Sequence, residues 1–164
     1  MNLPVEPGTY ILLLHLPVTQ RIIVGRLGEL HFPCGYYLYV GSALNGLHHR
    51  LRRHLRHDKP LRWHIDYLRR EAEIIDIWYA LGREHRECPW ATALAAWAEV
   101  KPHVARFGAS DCRCTTHLFY SPTRPASHAL TAPLRLVEPQ LELGRAFGEP
   151  LPGQKTGGEG PSPS

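Results

Sequence analysis

In Tyr10-Ile11-Leu12-Leu13-Leu14-His15-Leu16, every side chain except His15 is apolar or aromatic. In a strand, neighbouring side chains point to opposite faces, so such a run must be covered on both sides. A strand buried on two faces needs layers above and below it, and Gly8 marks its entry. A second run, Gly35-Tyr36-Tyr37-Leu38-Tyr39-Val40-Gly41-Ser42, is aromatic and β-branched, the composition of another strand. Between them, residues 21–26 and 28–32 flank a glycine-bounded turn and predict a hairpin. Residues 73–80, dense in Ile74, Ile75, Ile77, Trp78 and Tyr79, supply a third core strand, and residues 116–120 a short closing one.

Helical periodicity fills the intervals. Asn45-Gly46 is a turn signal, and Leu47, Leu51 and Leu55 recur every four residues over a helix at 47–56. A second helix is predicted from the first-turn proline Pro60 through Arg70, with Asp58 as its cap. A third spans 87–100. This order predicts an α+β fold, a small antiparallel or mixed sheet sandwiched by helices. The folded domain is expected over residues 1–122. Eight of the fifteen prolines fall from Ser121 onward, and residues 153–164 hold no apolar side chain. Residues 123–164 therefore read as a largely disordered tail with a short helix near 134–143.

At 164 residues and 43% apolar, the chain has room for one globular domain and is not wholly disordered. The longest aliphatic run, residues 11–14, cannot cross a bilayer. The N-terminus lacks the basic flank and apolar core of a signal peptide, so the expected compartment is the cytoplasm, without a membrane partner. Cys34, Cys88, Cys112 and Cys114 are then reduced thiols or metal ligands. Net charge is +4, but residues 45–70 alone carry +6 and five of the eleven histidines. A basic cluster on a near-neutral body fits a polyanionic partner, although basic helices are also common as solvated faces.

The chemistry-bearing residues converge on one rim. Tyr10 opens one strand, and Tyr39 nears the end of another that pairs with it. Arg50 and His54 share a helix face, with Arg50 about 60° from the leucine stripe and able to reach over the sheet. Arg52, Arg53 and Arg56 are expected to point outward. A guanidinium suits phosphate oxygens, and a phenol can position or deprotonate water if adjacent cations lower its pKa. Ser42 and Asn45 lead into the basic helix, where free backbone N–H groups could hold a phosphate. Packing alone is the commoner reading of strand tyrosines.

Gly8-Thr9-Tyr10 and Tyr39-Val40-Gly41 resemble the two halves of the GIY-YIG nuclease signature. Gly46-Leu47-His48-His49-Arg50-Leu51-Arg52-Arg53-His54 resembles its arginine-bearing helix. Residues 35–43, 62–68, 87–88 and 107–114 extend the likeness toward a branch of that superfamily sometimes found fused to endonuclease III. The resemblance covers about residues 7–121. It implies a metal-dependent endonuclease of DNA repair or processing, using one magnesium or manganese ion. Tyr39 would be the general base, Tyr10 would bond the attacking water or the phosphate, Arg50 would stabilise the phosphoryl charge, and His54 would support them. Ser42, Asn45, Arg52, Arg53, Arg56 and Lys59 would contact nucleic acid. The superfamily places its metal-binding glutamate inside the helix after the third strand, where this chain has Ala91-Thr92-Ala93-Leu94. Glu87 at the helix start is the candidate instead, with Asp111 second. The alternative is a non-catalytic nucleic-acid-binding module serving a repair enzyme.

Two further clusters stand apart. Cys88, Cys112, Cys114 and His117 form a Cys-x-Cys-x-x-His set with one cysteine upstream, compatible with structural zinc. Such sites more often use Cys-x-x-Cys knuckles, so buried thiols packing the last loop are the favoured expectation. Trp63, His64, Asp66 and Tyr67 read as core aromatics, with Asp66 paired to Arg62 or Arg70. Alternatively, His64 or Asp66 lies beside the tyrosines.

Overall fold

The computed structural model describes residues 2–147. The element order is β1 (Gly8–Leu16), β2 (Gln20–Ile23), β3 (Glu29–Phe32), β4 (Gly35–Ala43), α1 (Leu47–Leu55), α2 (His64–Glu71), β5 (Glu73–Leu81), α3 (Glu87–Ala95), β6 (Lys101–Pro102), β7 (Leu118–Ser121), α4 (Thr131–Val137) and β8 (Gly144–Phe147). Six strands form one antiparallel sheet in the order β6-β7-β4-β1-β5-β8, while β2 and β3 pair separately as a hairpin. The fold is α+β, as the sequence predicts. No helix among the described residues is long and apolar enough to cross a membrane.

The alternation in β1 creates two cores. Tyr10, Leu12, Leu14 and Leu16 face one side, where α1, α2 and the hairpin contribute Leu47, Leu51, Ile65, Leu68, Ile22 and Phe32. Ile11 and Leu13 face the other, against Trp90 and Leu94 of α3 and Leu134 of α4. Both faces of β1 are thus dry from Tyr10 to Leu14, which accounts for the apolar run there.

Three boundaries differ from the sequence expectation. The second helix begins at His64 rather than Pro60, and Asp58 does not cap it. The Asp66 carboxylate reaches back to the Arg62 and Trp63 N–H groups, each at 2.8 Å, and fixes the start there. The third helix stops at Ala95 rather than at residue 100, because the chain turns to bury Val100 and to lay β6 against β7.

The largest correction concerns the expected boundary at residue 122. Residues 123–147 return to the domain: Leu130, Leu134, Leu141 and Leu143 are buried, and β8 pairs with β5. The predicted short helix is present as α4, earlier than the 134–143 expected. The tie is ionic. Asp76 is fully buried in β5 and accepts hydrogen bonds from Arg145, whose guanidinium also donates to Ser127 Oγ at 3.0 Å. A carboxylate in an apolar strand requires such a partner, and here it comes from 69 residues away. The remainder of the expected tail, residues 148–164, lies outside the described residues.

Removing this cation leaves the buried carboxylate with the Ile77 N–H and the half-exposed Arg124, 3.9 Å away, which compensate it poorly. Arg145→Met is expected to destabilise the chain by about 3 kcal/mol or more in urea denaturation. An unchanged midpoint would place residues 123–147 outside the cooperative unit.

Candidate functional site

Register builds the site. Tyr10 lies opposite Gly41 in the β1–β4 ladder, so Tyr39, two residues away, emerges on the same face as a diagonal neighbour. Gly41 is required by this packing, since a Cβ there would collide with the Tyr10 ring. Gly108, at φ +67°, gives the Tyr39 ring its space in the same way; a Cβ there would fall 2.8 Å from Tyr39 Cε2.

Over these phenols lies α1, which buries Leu47, Leu51 and His54. His54 Nε2 is 2.6 Å from the Tyr10 hydroxyl, and its Nδ1 is buried without a hydrogen-bond partner among the described residues. Burial, reinforced by Lys59, lowers the His54 pKa to about 3, so the ring is neutral at ordinary pH. Arg50 donates to the Ser42 carbonyl at 3.0 Å and lies over the Trp63 ring, 4.4 Å from its centroid. These contacts hold its guanidinium at the rim. Burial raises the phenols of Tyr10 and Tyr39 well above their ordinary value, and Arg50 opposes this in both. The Tyr39 hydroxyl has no hydrogen-bond partner among the described residues, which leaves it available to a ligand.

Glu87 enters from the first turn of α3. Its Oε2 accepts a hydrogen bond from Ser42 Oγ at 2.9 Å, and its Oε1 lies 2.9 Å from His117 Nδ1 in an ion-pair contact off the line of an ideal hydrogen bond. Tyr10, Tyr39, Arg50 and Glu87 line one cleft of about 450 Å³, with Ser42, Asn45 and Asp111 at its walls. Oxygen donors such as Glu87 and Asp111 suit a hard dication, magnesium or manganese. His54 supports the cleft from behind through Tyr10.

The basic cluster divides into inward and outward members. Arg53 is not a free surface cation: it pairs bidentately with buried Asp66 at 2.8 and 2.9 Å and stacks on Trp63. Asp66 therefore pairs with Arg53, not with Arg62 or Arg70. Burial works against its ionisation, yet Arg53 and the two backbone donors hold its pKa below the usual carboxylate value. Lys59 is also turned inward, with a side chain 3% exposed that donates to the Arg53 and His54 carbonyls. Together with Arg69 it satisfies the open carbonyls at the end of α1. Arg52 and Arg56 are exposed, as expected. At the turn before α1, the Gly46 and Leu47 N–H groups are consumed by the Ala43 and Glu6 carbonyls and are not free for phosphate.

Arg62, Trp63 and His64 line the cleft as well, which puts His64 in the alternative position beside the tyrosines and adds Arg62 and Trp63, not expected there. His64 Nδ1 accepts a hydrogen bond from the Gly108 N–H at 2.9 Å, so the neutral ring carries its proton on Nε2. Because α2 starts at His64 rather than at Pro60, Trp63 stands in extended backbone just ahead of the helix.

Below Glu87, Cys88, Cys112, Cys114 and His117 come together, their ligand atoms within 4.8 Å of one another. The four cysteines of the chain are free thiols, and Cys34 stands apart and exposed. Burial and the two neighbouring thiols push Cys114 up to about 12. His117 is 2% exposed. Burial opposes its protonation, but Glu87 and Cys112 outweigh that and raise its pKa.

The fold and cleft define an α+β domain with a polar, phenol-lined site between a sheet and a basic helix. The chain belongs to the family described as Domain of unknown function DUF123, which matches residues 9–136 and so runs into α4. No curated protein and no solved structure matches it.

Because the folded pKa of His54 is depressed, its contribution to stability is full above about pH 6.5. It is lost as pH falls toward about 3. In urea denaturation, the stability of the parent is expected to fall with acid more steeply than that of His54→Gln, by up to about 1.4 kcal/mol per pH unit. Parallel curves for the two proteins would contradict a neutral, buried His54.

Proposed function

We propose that this chain is a phosphodiesterase of the GIY-YIG type that binds DNA and cleaves it as an endonuclease in repair or processing. The observation that supports this best is the convergence of Tyr10, Tyr39, Arg50 and Glu87 on one cleft. The cytoplasm suits its free thiols.

The roles follow from what each group can do. A phosphate seated in the cleft would meet the Arg50 guanidinium, already fixed by Trp63 and the Ser42 carbonyl, so little reorganisation accompanies the build-up of charge. The hydroxyl of Tyr39 is free to accept a hydrogen bond from the attacking water. Tyr10, bonded to the neutral His54, is held as a rigid polar wall that aligns the water or a phosphate oxygen. Glu87, with Asp111 at the rim, would hold a magnesium or manganese ion, which polarises the phosphate and favours the ionised phenol when bound. Exposed Arg52, Arg56, Arg62 and Arg70 provide phosphate contacts along the duplex.

A second reading is supported by the engagement of both Glu87 oxygens, by Ser42 and by His117. With its carboxylate committed, the domain would bind nucleic acid without cutting it and serve a repair enzyme.

Branched, nicked and single-stranded DNA, incubated with and without magnesium, separate the two. Magnesium-dependent cleavage is expected, with Arg50→Ala and Tyr39→Phe each slower by about 10²–10³-fold. Since Tyr39 sits above its ordinary value, its phenolate fraction grows tenfold per pH unit below the pKa, and the rate is expected to rise through the neutral range. Salt-sensitive binding without any cleavage would favour the module, and absence of binding would end both readings.

A further inference from the structure

Three thiols and one imidazole meet beside Glu87. We propose that Cys88, Cys112, Cys114 and His117 bind one structural zinc ion, and that this ion fixes Glu87 through His117.

The geometry is that of a closed tetrahedral site. Zinc–sulfur bonds of about 2.3 Å and zinc–nitrogen bonds of about 2.0–2.1 Å place ligand atoms about 3.6–3.8 Å apart around the metal. The four donors here lie within 4.8 Å of one another, and Cys112 Sγ is 3.4 Å from His117 Nε2. Three soft thiolates with one imidazole select zinc over magnesium or calcium. A disulfide would use two of the sulfurs and leave one thiol beside the buried histidine, so it would not engage all four donors at one centre.

The surroundings complete the site. With Nε2 on the metal, His117 carries its proton on Nδ1, which faces Glu87 Oε1 at 2.9 Å. A carboxylate behind a ligating histidine is the usual second layer of zinc sites. Zinc with three thiolates bears a net negative charge, and Arg106 brings its guanidinium to this loop by donating to the Cys112 and Cys114 carbonyls at 2.7 and 3.0 Å. The segment leading in is strained: Val104 and Arg106 adopt φ of +62° and +67°, a conformation that side chains with a Cβ rarely hold. Such strain persists where surrounding contacts over-determine it, and a metal bridging α3 to this loop does so.

The ion ties three parts of the molecule. Cys88 follows Glu87 on α3, Cys112 and Cys114 hold the loop whose Gly108 packs on Tyr39, and His117 precedes β7. Zinc would thus set the positions of the cleft's carboxylate and of the wall behind Tyr39.

The test is metal analysis of the full chain, with cobalt substitution. About one zinc per chain is expected, and cobalt should give thiolate-to-metal charge transfer with the strong visible bands of a tetrahedral ion. Cys34→Ser should keep both, Cys114→Ser should lose the cobalt spectrum, and Glu87→Ala should bind zinc about 10–100-fold more weakly. Because loss of a ligand can unfold the chain, the parent itself is also read: chelation should lower its Tm and added zinc should restore it. Neither zinc nor a cobalt spectrum, zinc retained by the Cys112→Ser/Cys114→Ser double variant, or a disulfide among Cys88, Cys112 and Cys114 would overturn the proposal. None of these readouts involves DNA, so the zinc site and the nuclease reading fail separately.

Discussion

Tyr10 faces Gly41 across the β1–β4 ladder, and nearly everything at the cleft follows from that pairing. Side-chain direction repeats every two residues, so this register alone sends Tyr39 to the same face as Tyr10. A slip of one residue would turn Tyr39 into the opposite core, beside Leu38 and Val40. The register is protected by burial on both faces of β1, where Tyr10, Leu12 and Leu14 pack on one side and Ile11 and Leu13 on the other. The glycine at 41 is then a steric requirement, because the Tyr10 ring occupies the space of its missing side chain.

Electrostatics around the phenols pull in two directions. Burial disfavours the phenolates of Tyr10 and Tyr39 and the imidazolium of His54, so these three rings meet the cleft in their neutral forms. Arg50 at the rim acts against burial on both phenols. Much of the apparent positive surface is spent elsewhere, since Arg53 neutralises Asp66 and Lys59 and Arg69 satisfy the end of α1. Glu87 links this wall to the cluster of sulfurs beneath it. One carboxylate therefore answers to two centres of different chemistry.

Much of the architecture was legible in the sequence. Strands β1, β4 and β5 and helix α1 announce themselves by hydrophobic period, and the convergence of Tyr10, Tyr39, Arg50 and His54 follows from placing them. What stayed hidden were interactions across long sequence separations. Arg53 looked exposed because the helical wheel cannot show Asp66 arriving from the next helix to meet it. Residues 123–147 looked like a tail because their prolines outweighed five separated leucines, and because Asp76 does not reveal that Arg145 is its partner. The cluster of Cys88 with Cys112, Cys114 and His117 spans α3 and a distant loop, so spacing alone could not decide between packed thiols and a metal centre.

The claim at the centre of this account is that a phosphodiester sits in the phenol-lined cleft. A crystal structure of the chain with a short DNA bearing a hydrolysis-resistant phosphorothioate tests it most directly. The account predicts one phosphate between the Arg50 guanidinium and the Tyr10 and Tyr39 hydroxyls, with Glu87 on its far side. DNA held only along exposed Arg52 and Arg56, with no phosphate entering the cleft, would contradict it.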